Sequence, residues 1–166
     1  MLKRHRVEPV RPDGLLEFRL EVRHGPDHQL VDGTTVHRND PIVELHLDNR
    51  GLVRMRKARG YSTWRAVHAL RTDLAALGTR MAAGEFGPVV ALHGVSLMGA
   101  AGGLLGFETN ELPHNLRNAF QRYFLAGLDA VYHPAGLDRL DTRATGRWPV
   151  EVWMSAAQAN ALTTRR

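Results

Sequence analysis

The amino-acid sequence predicts a single domain, residues 1–166, of the α/β or α+β class: a mixed, largely antiparallel sheet with two main helices packed on it. Three observations predict this class. Apolar and polar residues alternate in the first third of the chain, as in half-buried strands. Apolar residues instead recur every three or four positions over 62–83 and 114–131, as in helices that bury one face. Short apolar segments follow each of these helices, and they predict further strands.

The first third is expected to form an antiparallel meander. The stretch LLEFRLEVR, residues 15–23, alternates over four periods and is the clearest strand. Asp32-Gly33 favours a hairpin turn, and a second strand follows over residues 42–47. A turn at 49–51 then leads into LVRMR, residues 52–56, which we predict as the next strand.

The remaining elements follow from the change of period at Ser62. Ser62 or Thr63 is expected to cap the first helix. Two short strands then flank GAAGG, residues 99–103, which predicts a tight turn rather than a phosphate-binding loop. After the second helix, residues 149–155 form a last strand, and Ser155 with Gln158 makes a capping box for a short terminal helix.

Composition excludes several classes of protein. The 166 residues include no cysteine, so disulfides, thiolate metal sites and a cysteine nucleophile are excluded. The basic start is not followed by an apolar segment typical of a secretory signal, so we expect a cytoplasmic protein. The nearly uncharged stretch 88–107 contains too many glycines for a membrane-spanning helix, and we predict no transmembrane segment.

The net charge of +5 leaves room for an anionic partner. The densest basic cluster is residues 50–60, and on a strand Arg54 and Arg56 would share one face as binding residues. The alternative is a solvated basic edge that blocks aggregation. We therefore expect nucleic-acid binding to be weak and independent of sequence.

The segment PIVELHLDN, residues 41–49, carries the main candidate site. Glu44 and His46 share one strand face, and with His93 they could form an oriented acid/base pair. Histidines with a carboxylate can also hold zinc, but we predict no tightly bound metal. The alternative is a polar face exposed to water. Further candidates are Ser96, Glu108 and His133 as catalytic residues and Trp153 as a sugar-stacking residue, although a core or rim position in the last strand is the simpler interpretation of Trp153.

Five segments occur in an order that resembles the YkoP-like domain family of bacteria. They are DPIVELHLDN, LHGVSLM, LLGFETNELP, YHPAGLDRL and VEVWMS, and the similarity as a whole extends from about Asp32 to Ser155. Members of that family occur alone or attached to polysaccharide deacetylases. The resemblance therefore implies an envelope-glycan context, without implying a reaction or a cofactor.

These observations leave three hypotheses about function. The first is an accessory or modifying protein for an envelope polysaccharide or its precursor, with Glu44, His46 and His93 as its polar centre. The second is an acyltransferase resembling the GNAT superfamily, suggested by the β-β-α-β-β-α-β order, although the expected Gln/Arg-x-x-Gly-x-Gly/Ala loop is missing. The third is a basic binding module for nucleic acid or another anionic polymer.

Overall fold

A computed structural model describes residues 6–60, 62–96, 99–115 and 148–162. The described residues form a six-stranded mixed sheet, a two-stranded hairpin and four helices, which confirms the predicted fold class. The strands are β1 (Glu8–Pro9), β2 (Leu16–Val22), β3 (His28–Gln29), β4 (Thr35–Val36), β5 (Pro41–Leu47), β6 (Ala91–Ser96), β7 (Glu108–Glu111) and β8 (Val150–Ser155). The helices are α1 (Asn49–Lys57), α2 (Thr63–Ala82), α3 (Gly99–Leu104) and α4 (Ala156–Ala161).

The sheet has the strand order β1-β2-β5-β6-β8-β7. Strand β2 pairs antiparallel with β5 along its whole length, from Leu16 opposite Leu47 to Val22 opposite Pro41. Strands β5 and β6 are parallel, because α1 and α2 form the long connection that a parallel pair requires. The pairs β6–β8 and β8–β7 are antiparallel again.

One face of the sheet packs against α2 and α4 and forms the main core. Strands alternate their side chains between faces, so every second residue of β2, β5, β6 and β8 contributes to this core. It contains Phe18, Val43, Leu92, Met154, and Leu74 and Leu77 from α2. The other residues of the same strands therefore lie on the opposite face, which carries the candidate site.

Helix α2 begins where the change of period predicts. Ser62 is its N-cap, and the Ser62 hydroxyl accepts a hydrogen bond of 3.2 Å from the backbone N–H of Arg65. The apolar pattern over 62–83 predicts that Trp64 belongs to the buried stripe, and this is wrong, because 71% of its surface is exposed. The capping box of Ser155 and Gln158 at the start of α4 is confirmed.

A buried carboxylate joins α2 to the segment before β2. Asp73 accepts hydrogen bonds from the backbone N–H groups of Leu15 at 2.6 Å and Leu16 at 3.0 Å, and from Arg11 Nε at 2.6 Å. A Cβ atom on Gly14 would lie 2.6 Å from Asp73 Oδ1, so this close approach requires glycine. With three donors from the segment before β2, the Asp73 carboxylate serves a structural role.

The predicted strand over residues 52–56 is wrong, because this segment belongs to helix α1. Strand β5 already pairs with β2 on one edge and with β6 on the other, so no edge remains for the next strand of a meander. Consecutive helical residues are about 100° apart. Arg54 and Arg56 therefore point about 200° apart and do not share a face.

The predicted tight turn over residues 99–103 is also wrong, since residues 99–104 form helix α3. Its small residues allow close packing against the sheet: a Cβ atom on Gly102 would lie 3.0 Å from Val152 Cγ1. The predicted helix over 114–131 falls almost wholly outside the described residues. Among the residues that the structure describes, no helix is long and apolar enough to cross a membrane.

Candidate functional site: the polar face of the sheet

The face of the sheet opposite the main core carries a row of mostly polar side chains. Register aligns one residue from each of five neighbouring strands, and neighbouring strands lie about 4.8 Å apart. Glu44 on β5 is opposite Arg19 on β2 and beside His93 on β6. We call this surface the polar face; its row consists of Arg19, Glu44, His93, Trp153 and Glu108.

Glu44 is held by two basic side chains. Arg19 Nε donates to Glu44 Oε2 at 2.9 Å, and Arg19 Nη2 contacts the same oxygen. His46 Nε2 lies 3.7 Å from that oxygen. Contact with the imidazole of His46, and then with the guanidinium of Arg19, lowers the pKa of Glu44 to about 2 against the opposing effect of burial. Glu44 is therefore ionised at neutral pH.

A second carboxylate–imidazole pair lies on the next strands. His93 Nε2 is 3.4 Å from Glu151 Oε1, within reach of an ion pair. The imidazole of His93 lowers the pKa of Glu151, while burial opposes this shift and Trp153 and Arg23 assist it. Trp153 Nε1 also donates to Glu151 Oε2 at 3.3 Å. The predicted Glu44–His93 neighbourhood thus contains two pairs, and the carboxylate that contacts His93 is Glu151.

Trp153 is completely buried and cannot present a free ring to a sugar, which corrects its predicted stacking role. The His93 ring centroid lies 4.2 Å from that of Trp153, and the His28 ring stacks on it at 4.9 Å. The guanidinium carbon of Arg23 lies 4.8 Å from the ring centroid. Trp153 therefore positions the polar groups around it.

The hairpin of β3 and β4 covers one end of the polar face. Its Leu30 and Val36 are buried in a small cluster that includes Trp153. Glu108 Oε1 accepts a hydrogen bond of 2.7 Å from the backbone N–H of Val31. Asn110 Nδ2 lies 3.3 Å from His28 Nε2. In this arrangement the carboxylate of Glu108 holds the hairpin in place.

The other predicted site residues lie elsewhere. Ser96 is an even-numbered residue of β6, like Leu92 in the core, so it lies on the face opposite His93. His133 lies outside the described residues. Arg54 and Arg56 lie on α1, away from the row. The structure therefore brings together Glu44, His46 and His93 and separates them from Ser96.

Three buried nitrogen atoms of the polar face make no hydrogen bond within the described residues. They are His46 Nε2, His93 Nε2 and Arg23 Nε. Both imidazole nitrogens approach a carboxylate without hydrogen-bond geometry, so the hydrogen bonding of both is incomplete within this part of the chain. Among the described histidines and carboxylates, no group of three is arranged to hold a metal ion.

Sequence reasoning missed several residues of this face. Arg19 and Arg23 alternate with the apolar residues of 15–23, so the sequence predicts that they share a face of the strand. It does not predict which side chains they contact. Glu151 and His28 come from distant segments, and they reach His93 and Trp153 only through the pairing of β6 with β8 and the position of the hairpin.

Comparisons with known proteins identify a family. No curated protein and no solved structure gives a significant match to the chain. The family model described as the YkoP domain matches residues 2–162, further at both ends than the segments that carry the resemblance in the sequence. Since this match covers nearly the whole chain, the protein belongs to the YkoP domain family.

Proposed function

We propose that the polar face binds a hydroxyl-rich ligand, a glycan of the bacterial envelope or its precursor, and that the protein is an accessory or modifying protein for that glycan. One observation carries the proposal: two carboxylate–imidazole pairs, Glu44 with His46 and Glu151 with His93, share one face and leave both Nε2 atoms without hydrogen bonds within the described residues. Each sugar hydroxyl donates and accepts, so it matches this mixture of acceptors and imidazole nitrogens.

The carboxylates and the imidazoles of the polar face would play different roles, because they differ in charge. Glu44 has a pKa of about 2, so it accepts hydrogen bonds at neutral pH and supplies no proton. Proton transfer to or from a ligand hydroxyl would fall to His46 or His93. The adjacent carboxylate would stabilise the imidazolium that forms. If the protein modifies its ligand, the carboxylates orient and the imidazoles transfer protons.

The proposal is tested by NMR titration with chitotetraose as the probe. Imidazole resonances of His46 and His93 should shift saturably, because these rings would contact the sugar. His46→Asn and His93→Asn should each weaken binding by about 5- to 100-fold, the loss expected for one or two hydrogen bonds. His68→Asn, on the exposed surface of α2, is the matched control. Shifts confined to residues outside the polar face, or no shifts at all, would contradict the proposal.

A second candidate, a GNAT-like acyltransferase, is favoured by the order of the sheet. Pairing between the parallel strands β5 and β6 runs from Ile42 and Ala91 to Leu45 and Gly94, and both strands continue by two residues. Ligands of open α/β sheets bind beyond such carboxyl ends. However, Asp48 is the N-cap residue of α1, and its carboxylate would repel a pyrophosphate there.

A thermal-unfolding experiment with acetyl-CoA distinguishes glycan binding from acyltransferase activity. We expect no change in melting temperature when acetyl-CoA is added to the protein. A rise in proportion to the logarithm of acetyl-CoA concentration, and a clear rise with a CoA analogue that competes for the same site, would make the acyltransferase the leading candidate.

A further inference from the structure

Helix α1 presents a row of basic side chains to solvent. Arg50, Arg54 and Lys57 follow the spacing i, i+4, i+7, so they lie on one face of the helix, and all three are exposed. Arg59 follows directly after the helix and is exposed as well. We call these four residues the basic stripe. The sequence shows all four in its densest basic cluster, but the predicted strand paired Arg54 with Arg56, and the shared face of Arg50, Arg54 and Lys57 exists only in the helix.

The packing of α1 fixes the direction of the basic stripe. Gly51 is buried, and a Cβ atom there would lie 2.5 Å from Asp48 Oδ2 and 3.3 Å from Leu15 Cδ2. The Gly51 side of the helix therefore lies against the body of the protein. Asp48 contacts Arg54 at 3.2 Å, yet the side chain of Arg54 remains 70% exposed.

An exposed aromatic side chain lies next to the stripe in the chain. Trp64, in the first turn of α2, leaves 71% of its surface exposed, which is unusual for the largest apolar side chain. Arg65 Nη1 lies 3.5 Å from the carbonyl oxygens of Arg59 and Gly60. These contacts hold the start of α2 close to the end of the stripe.

We propose that the basic stripe and Trp64 form a docking surface for the headgroup region of an anionic lipid bilayer. Cations near an anionic surface are attracted to it, and the amphipathic tryptophan ring favours the headgroup level. Arginine also contacts guanine edges in nucleic acids, so the charges alone do not distinguish the two polyanions. We commit to the bilayer because an exposed amphipathic tryptophan beside the cations is typical of the headgroup level. This surface lies on different residues from the polar face, and the inference does not depend on the proposed function.

Vesicle binding tests the docking surface. The intact protein should sediment with vesicles that contain phosphatidylglycerol and not with phosphatidylcholine vesicles, and tryptophan emission should shift to the blue. Each cation contributes about fivefold in affinity, so Arg54→Gln with Lys57→Gln should weaken binding about 25-fold. Arg6→Gln with Arg38→Gln removes the same charge from exposed positions outside the stripe and is the matched control. Trp64→Phe should remove most of the blue shift.

Each alternative result would overturn the inference. Equal losses of vesicle affinity in Arg54→Gln with Lys57→Gln and in Arg6→Gln with Arg38→Gln would mean that net charge alone drives association. Binding to phosphatidylcholine alone would remove the electrostatic argument. Tighter binding to single-stranded DNA than to the vesicles at the same ionic strength, lost in Arg54→Gln with Lys57→Gln, would reassign the surface to nucleic acid. Binding to neither would leave the stripe as a solvated helix face.

Discussion

Glu44→Gln is the most informative single perturbation of the polar face. The pKa of Glu44 falls from its ordinary 4.5 to about 2, which corresponds to about 3 kcal/mol of preference for the ionised carboxylate in the folded protein. Glutamine keeps one acceptor for Arg19 but loses the charge. Arg19 also retains Glu21 at 3.6 Å and its exposure to water. We therefore expect the variant to lose about 1–3 kcal/mol of unfolding free energy at pH 7.

The pH dependence of this loss identifies its cause. A carboxylate with a lowered folded pKa contributes stability that is fully present above its unfolded pKa, near 4.5, and is lost as pH falls through the folded pKa, near 2. The difference between the intact protein and Glu44→Gln should therefore be constant from about pH 7 to 5 and shrink by more than half near pH 3. Urea denaturation at each pH measures the difference, and other carboxylates cancel because both proteins contain them.

A double-mutant cycle decides which histidine is coupled to Glu44. The structure favours coupling of Glu44 with His46, at 3.7 Å, over coupling with His93, whose carboxylate contact is Glu151. His46→Asn combined with Glu44→Gln should thus be non-additive. A loss below about 0.5 kcal/mol that does not change with pH would show that the face is an ordinary wet surface and would refute this reasoning.

Two further predictions concern the framework. Asp73→Ala should lower the free energy of unfolding by about 3–5 kcal/mol, because it leaves Arg11 and two buried N–H groups without their acceptor. Urea denaturation measures this loss. A loss below about 1 kcal/mol would mean that water replaces the carboxylate. Ser155→Ala should lower the free energy of unfolding by about 1 kcal/mol, because it removes the cap of α4. Ser155→Thr keeps the hydroxyl and should retain most of that free energy. Equal losses in both variants would indicate that the packing of Ser155 matters instead.

The sequence allowed prediction of elements whose pattern spans several periods. The alternation in β2 and β5 and the stripe of α2 each extend over enough residues to distinguish a period of 2 from one of 3.6. In residues 52–56 the apolar and basic residues fit either period over only five positions. The choice between strand and helix depended on β5 having both edges paired, which is a property of the whole sheet.

The candidate site was predicted in part for a similar reason. Glu44 and His46 are two residues apart on one strand, so their shared face follows from the sequence alone. His93 joins them only through the parallel register of β5 with β6, and Glu151 only through the antiparallel register of β6 with β8. The structural role of Asp73 could not be predicted from the sequence, because its hydrogen-bond partners lie 57 to 62 residues away and its own helix shows an ordinary apolar stripe.

The charged groups of the polar face carry an energetic cost that apolar residues would avoid. Glu44 and Glu151 are both largely removed from water, and burying ionised groups costs free energy that their partners only partly return. Apolar residues would form the same strands with less desolvation, as Ile42 and Ala91 already do one pair along on the same face. Compared with apolar residues, stability alone therefore does not favour two adjacent carboxylate–imidazole pairs whose Nε2 atoms make no hydrogen bond among the residues that the structure describes. A ligand that completed their hydrogen bonds would account for these pairs, as the proposed recognition of hydroxyl groups requires.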